Sequence, residues 1–274
     1  MFPVVIDIPY KLARKLLPNG IYSLASKIIG RKKIYCTFST YQNIFDNYLY
    51  HLPELSGKTI LEVGCGNQLH TSVQFLLHEA KQVLLAEPKL ENSKHQFLSA
   101  IQPFSDQNIS HEQIISFKDL DSIPGTFNRN IDIICSNFVL EHFSDLDNYF
   151  QNVNRLLTND GVAYSYVDLS DHSLHPFDAI SFLKWIYQKN TLNHLKYSNK
   201  LFSFLEDKRI FVNRVLLPAY IDYSKQYNFK YEITPRKVEK CPIHKDLTSG
   251  LKYQNEEDLF VSHFGMKLKR AEPE

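Results

Sequence analysis

Hydrophobic and polar positions alternate in a regular way over the middle of the chain. Thr59–Val63 is a short apolar run ending at Gly64, and the segment after it, roughly Thr71–His78, carries apolar residues at helical spacing. Gln82–Ala86 is a second apolar run, stopped by Glu87-Pro88, where proline prevents further ladder pairing. A third strand is expected at Gln113–Phe117 and a fourth at Ile131–Cys135, followed by Ser136-Asn137. From about Asp145 the positions Leu146, Phe150, Val153, Leu156 and Leu157 share one helical face; Asn159-Asp160-Gly161 is expected to end that helix, and Gly161–Val167 to form a fifth strand. Strands alternating with helices predict a parallel sheet with crossover helices.

The alternation stops after residue 170. Residues 171–228 have helix-like stretches rich in aromatics and histidines, including Phe182–Tyr187, and read as a helical substrate-binding insertion or lid. Strand-like segments return near Tyr231–Thr234 and Leu259–Lys267. The expected organisation is a helical N-terminal extension over 1–55, with an amphipathic stretch around Tyr41–Tyr50. An α/β core follows over 56–170, then the insertion over 171–228, and strands completing the sheet over 229–274.

Composition narrows this little. A chain of 274 residues suffices for one large α/β domain with an elaboration, or for two small domains; 43% hydrophobic and 22% charged residues are ordinary for a globular protein. The net charge of +1 gives no global attraction to nucleic acid. Cys36, Cys65, Cys135 and Cys241 form no ligand pattern, so a reduced cytoplasmic protein without disulfides or structural zinc is expected. No apolar run is long enough to span a membrane, and the start lacks a signal-peptide core. From Ile8 to Lys33, seven basic residues and no acidic one are interleaved with apolar residues. Such a segment can lie on an anionic membrane, which would place the protein peripheral to the inner membrane surface; alternatively, two short helices broken at Pro18-Asn19-Gly20 pack on the domain.

The candidate chemistry gathers at the strand ends. Gly64 and Gly66, either side of Cys65, allow a sharp turn and close ligand approach, and the next helix begins with unpaired N–H groups. A tight βα turn without a ligand would have the same residues. Glu87 lies about 20 residues further on, where a carboxylate can accept from both hydroxyls of a ribose. Asp119, before Leu120, can accept from an adenine amino group, and Asn137 and Phe138 follow the fourth strand at the edge where open α/β sheets bind ligands. A dinucleotide needs Gly or Ala at position 69, which is Leu.

Leu61-Glu62-Val63-Gly64-Cys65-Gly66, Glu87, Val139-Leu140-Glu141-His142-Phe143 and Arg155-Leu156-Leu157…Gly161 resemble the class I methyltransferases of the small-molecule (UbiE/UbiG-like) type, over about residues 55–170. The resemblance implies a Rossmann-like, doubly wound, seven-stranded, mostly parallel sheet with a reversed last hairpin. It also implies S-adenosylmethionine as cofactor and S-adenosylhomocysteine as product. Glu62, Gly64, Cys65, Gly66, Glu87, Pro88, Asp119, Leu120, Asn137 and Phe138 are then the expected cofactor contacts. The family often has a third glycine where this chain has Gln68. Beyond the core, Val167–His172, Phe182-Leu183-Lys184 and Val212-Asn213-Arg214 are similar to methyltransferases encoded with polysaccharide or secondary-metabolite clusters.

A hydroxyl acceptor needs a base, and a histidine near neutrality serves. His172, with Asp168 and Asp171 beside it in sequence, is the first candidate and His142 the second; each could equally be a cap or a packed ring. Asp168, Asp171, His172 and His175 match no metal-ligand spacing, and no metal is expected. Arg214 is suited to an anionic substrate group, and Glu141, Asp171 and Tyr220 complete the acceptor-side candidates. Nucleic acid is not the expected substrate: Ser136-Asn137-Phe138-Val139 lacks the Asn/Asp-Pro-Pro-aromatic motif, and no Pro-Cys pair occurs in the core. The expected activity is methyl transfer to an oxygen of a small or carrier-linked molecule, a surface glycan or secondary-metabolite intermediate. The alternatives are a small-molecule N-methyltransferase and a non-catalytic cofactor-binding scaffold.

Overall fold

In the computed structural model the described residues are 12, 15–16, 38–66, 69–90, 93–104, 109–172, 192–206 and 211–271. The basic N-terminal stretch, Gln68, His175 and the aromatic run Phe182–Tyr187 lie wholly or almost wholly outside them.

The described chain forms α1 (Phe38–His51), β1 (Thr59–Val63), α2 (His70–Leu77), β2 (Gln82–Ala86), α3 (Ser93–Ile101), β3 (Ile114–Phe117), β4 (Ile131–Asn137), α4 (Leu146–Leu156) and β5 (Leu157–Asp168). It continues with α5 (Asn199–Leu205), α6 (Leu217–Gln226), β6 (Phe229–Val238), α7 (Lys245–Thr248) and β7 (Val261–Arg270). Seven strands make one sheet in the order β3-β2-β1-β4-β5-β7-β6. The first five run parallel, with β1 buried along its whole length between β2 and β4. A strand covered on both faces reads as a continuous apolar run, which is why Thr59–Val63 shows no alternation.

The last strand is reversed. Leu169 N–H donates to Ser262 O at 2.7 Å, while at the other end Arg270 Nε donates to Leu157 O at 3.2 Å, so β7 is antiparallel to β5. Glu239 N–H to Phe260 O and Ala271 N–H to Asn228 O close the β6–β7 hairpin in the same way. This is the Rossmann-like, mostly parallel sheet with a reversed last hairpin that the sequence led us to expect.

One local expectation changes. Asn159-Asp160-Gly161 does not end a helix: α4 stops at Leu156 and β5 begins at Leu157. The three residues sit in a register shift of β5, between the pairings Ile131↔Leu157 and Ile133↔Val162. Their turn chemistry serves a bulge, where extra residues leave the ladder.

Contacts divide the chain into two compact units. One comprises Cys36–Val167, Ile221–Thr234 and Gly265–Glu274, the other Met1–Tyr35, Asp168–Tyr220 and Pro235–Phe264. The core of the first joins Phe45, Tyr48, Ile60, Val73, Phe75, Val83, Leu85, Ile133, Cys135 and Tyr164, all buried. The second buries Leu192, Leu195, Tyr197, Leu205, Leu216, Tyr220 and Phe264. No helix among the described residues is long and apolar enough to cross a membrane.

Candidate functional site

The glycine loop leaves β1 at its carboxyl end, with Gly64 at φ +75° and Gly66 at φ +68°. Both lie in the left-handed region where a side chain is strained. Gly64 has a second constraint: a Cβ there would stand 2.5 Å from Val139 Cγ2. The segment after β4 is thereby packed directly against the loop after β1. Gly64 N–H is held by Ala86 O at 2.9 Å, and Glu87 N–H by Phe117 O at 3.1 Å, so the ladder continues past the strand ends.

The Glu87 carboxylate faces the loop. Its Oε2 accepts from Gly66 N–H at 3.0 Å and its Oε1 from Lys89 N–H at 2.9 Å. A carboxylate oxygen accepts in two directions, so each oxygen keeps one for a ligand hydroxyl. Two aligned acceptors on a fixed carboxylate fit the paired hydroxyls of a ribose. Pro88 follows on the exposed surface and ends the strand.

Glu62 is buried in β1 and accepts from Ser72 Oγ at 2.5 Å. Burial pushes its carboxyl up to about 7; the Ser72 hydroxyl counteracts this in part and the charge of Glu87 adds to it. Cys65, between the glycines, is held up as a neutral thiol, first by burial and then by the charges of Glu62 and Glu87. It therefore acts as a packed thiol and not as a nucleophile.

After β3, Asp119 is exposed and its Oδ1 accepts from Ser122 N–H at 2.9 Å, leaving Oδ2 available. Leu120 beside it is buried. After β4, Asn137 pairs with Tyr166 of β5, and Phe138 N–H donates to Tyr166 O at 2.8 Å. Phe138 has φ +57° yet is 42% exposed, with its ring 4.9 Å from that of Tyr166. A bulky residue in that region carries strain, and such strain is concentrated at functional sites. Of the two residues that follow in this segment, Glu141 is fully buried and His142 is exposed.

Asp168, His172, Asp171, Arg214 and Tyr220 belong to the other unit. The Asp168 carboxylate lies between two imidazoles, 3.3 Å from His172 Nε2 and 3.1 Å from His263 Nε2, and accepts from Ser170 N–H at 2.8 Å. Burial pushes this carboxyl up, but the two imidazoles and the amide outweigh it and hold it far below the usual carboxylate range. His172 itself is buried. Among the described residues no group of three or more such side chains is arranged to hold a metal ion.

Arg214, the candidate for an anionic substrate group, is engaged within its own unit. It is buried at φ +57°, its guanidinium 4.3 Å from the Phe202 ring, and it donates to Tyr197 O and to Asn199 Oδ1. Burial lowers its pKa to about 10, while Asp171, Asp246 and Glu206 raise it. The guanidinium thus serves as an internal bridge between the Tyr197 carbonyl, Asn199 and the Phe202 ring. Tyr220 is fully buried against Phe264, which gives it a packing role. Sequence reasoning missed Ser72 and His263, and it gave Val139 only as part of a motif. Ser72 could have been found in the first turn of α2; the approach of Val139 to Gly64 and of His263 to Asp168 has no local signal, because only the fold brings these residues together.

A family profile described as a methyltransferase domain matches residues 39–202. No curated protein matches the chain by sequence. Among solved structures of similar fold is the geranyl diphosphate C-methyltransferase of Streptomyces coelicolor A3(2), at 10% identity and TM-score 0.51, covering 89% of this chain and 86% of that one. Another is a Haloferax volcanii methyltransferase solved with the Trm112 methyltransferase activator, at 10% identity and TM-score 0.50, covering 90% and 98%. With the profile spanning more than half the chain and the sheet in this strand order, the chain belongs to the methyltransferase domain family and is a class I S-adenosylmethionine-dependent methyltransferase.

Proposed function

We propose that the protein methylates an oxygen of a small or carrier-linked acceptor, a surface glycan or secondary-metabolite intermediate. The observation that carries the cofactor half is the Glu87 carboxylate fixed by Gly66 N–H at 3.0 Å. It joins the glycine loop to the end of β2 and leaves two acceptor directions for a ribose. Bound there, S-adenosylmethionine supplies a methyl group on a sulfonium. Gly64 and Gly66 would admit it closely, Asp119 Oδ2 would accept from its adenine amino group, and Asn137 is a further candidate contact.

For the acceptor, the exposed Phe138 ring against Tyr166 offers a rigid apolar wall, and such a wall excludes water and orients a reacting oxygen. His172, as the candidate base, would take the proton of the acceptor hydroxyl while the bound cofactor would supply the methyl group. Asp168 supports the imidazolium that results, its carboxylate being 3.3 Å away and ionised across the working pH range. His142 is the second candidate for that role.

The test is calorimetric titration of S-adenosylmethionine into the protein and into Glu87→Ala. Micromolar binding, weakened at least 30-fold in the variant, is expected; equal affinity would show that Glu87 does not hold the ribose. Mass spectrometry of metabolites and surface glycans from cells with and without the gene then finds a one-methyl difference and its atom. With that acceptor, His172→Ala lowers kcat at least 100-fold with cofactor affinity unchanged; normal turnover would remove His172 from the mechanism.

A further inference from the structure

The segment after β3 carries Asp119 and Leu120, then returns over the surface to β4, and it has little regular structure of its own: a single 3-10 turn at Gly125–Phe127. A loop of this kind, with Asp119, Asp121 and Ser122 exposed, needs an outside partner to hold one shape. That partner is Arg155, in the last turn of α4. Its Nη2 donates to Leu120 O at 3.1 Å and its Nη1 to Ile123 O at 3.2 Å and to Asn128 Oδ1 at 2.7 Å. Its Nε and Nη2 also donate to Asn152 Oδ1, at 3.2 and 2.8 Å. A guanidinium has five N–H donors in a planar fork, and all five are used here.

The fork grips the loop at three points, Leu120, Ile123 and Asn128. Behind it, Asn152 donates from Nδ2 to Asp121 Oδ1 at 2.9 Å, and Asn148 donates to Asp121 Oδ2 at 2.9 Å. These hydrogen bonds, that of Asn148 first, hold the Asp121 carboxyl below its ordinary value, with the charge of Arg155 adding to them. One face of α4 thus fixes the loop at Leu120 and at Asp121, Ile123 and Asn128 after it, and the Asp119–Ser122 turn closes directly on this anchored stretch.

We infer that Arg155 is the positioning residue of the adenine subsite: by gripping the Leu120, Ile123 and Asn128 oxygens it aims Asp119 Oδ2 at the adenine amino group. The inference rests on the cofactor reading above. Arg155 does not touch the cofactor, and its effect is on base recognition, leaving the ribose contact at Glu87 intact. Lysine cannot replace it, because an ammonium has three donors at one point and no fork.

The test compares binding of S-adenosylhomocysteine with S-inosylhomocysteine, in which an oxo group replaces the amino group. The wild-type protein is expected to prefer the adenosine compound by about 10-fold, as one charge-assisted hydrogen bond to an exposed carboxylate allows. Arg155→Gln is expected to bind S-adenosylhomocysteine at least 10-fold more weakly and to lose most of the preference, with kcat at saturating cofactor near wild type. Arg155→Lys falls between, and Asn128→Ala, at the exposed end of the network, carries the test with a several-fold loss if the arginine variants do not fold. A folded Arg155→Gln with the wild-type preference overturns the positioning role alone. A wild-type protein that binds neither compound overturns the cofactor reading, and the positioning role with it.

Discussion

Glu62 is the residue whose chemistry depends most on its place. In the unfolded chain its carboxyl titrates near 4.5, while in the folded protein burial raises it to about 7. A raised acid pKa means that the folded state holds its proton more tightly, so this contribution is full below pH 4.5 and is lost as pH rises to about 7. The shift corresponds to about 3 kcal/mol. Glu62→Gln keeps a partner for Ser72 but does not titrate. We expect it to flatten the pH dependence of unfolding free energy between pH 4.5 and 7 and to be relatively more stable at pH 8. Denaturant titrations at several pH values measure this, and curves parallel to wild type would contradict it. The sequence marked Glu62 as a candidate; its unusual titration was not legible there, because it arises from neighbours on β2, β4 and α2.

At the level of elements, periodicity placed β1 and β2 to the residue and α2 and the start of α4 to within one, while α3, α5, α6 and α7 were not placed individually. It worked because those strands are buried on both faces and α4 has a clear apolar face, opened by Asp145 accepting from Asn148 N–H. It failed at Asn159-Asp160-Gly161, where turn residues could serve either a cap or a bulge and the pairing of β4 with β5 selected the bulge. The placing of β7 beside β5 makes its own demand: a Cβ on Gly265 would stand 2.8 Å from Tyr164 Oη. Tyr164 cannot retreat, being packed edge-on to Tyr48 and stacked on His51 at 4.3 Å. Gly265→Ala is therefore expected to destabilise the protein by about 1–3 kcal/mol, as overpacking of a filled core does. Thermal unfolding checks it; an unchanged midpoint would mean that β7 does not lie against Tyr164.

For the whole molecule, the sequence alone determined the fold class and the glycine loop after β1. Both depend on local signals: buried strands read as apolar runs, left-handed turns require glycine, and a carboxylate ending β2 is visible in one dimension. Tertiary structure decided the rest. It brought Val139 against Gly64 and Gly66 N–H onto Glu87, and it gave Arg155 three grips on a loop about 30 residues earlier. It also set His263 on Asp168 and buried Arg214 against the Phe202 ring, donating to Tyr197 and Asn199. The physical reason is the same in each case. Backbone conformation and burial follow from neighbours in sequence, but the charge, hydrogen bonds and reach of a side chain depend on residues that are distant in the chain until it folds.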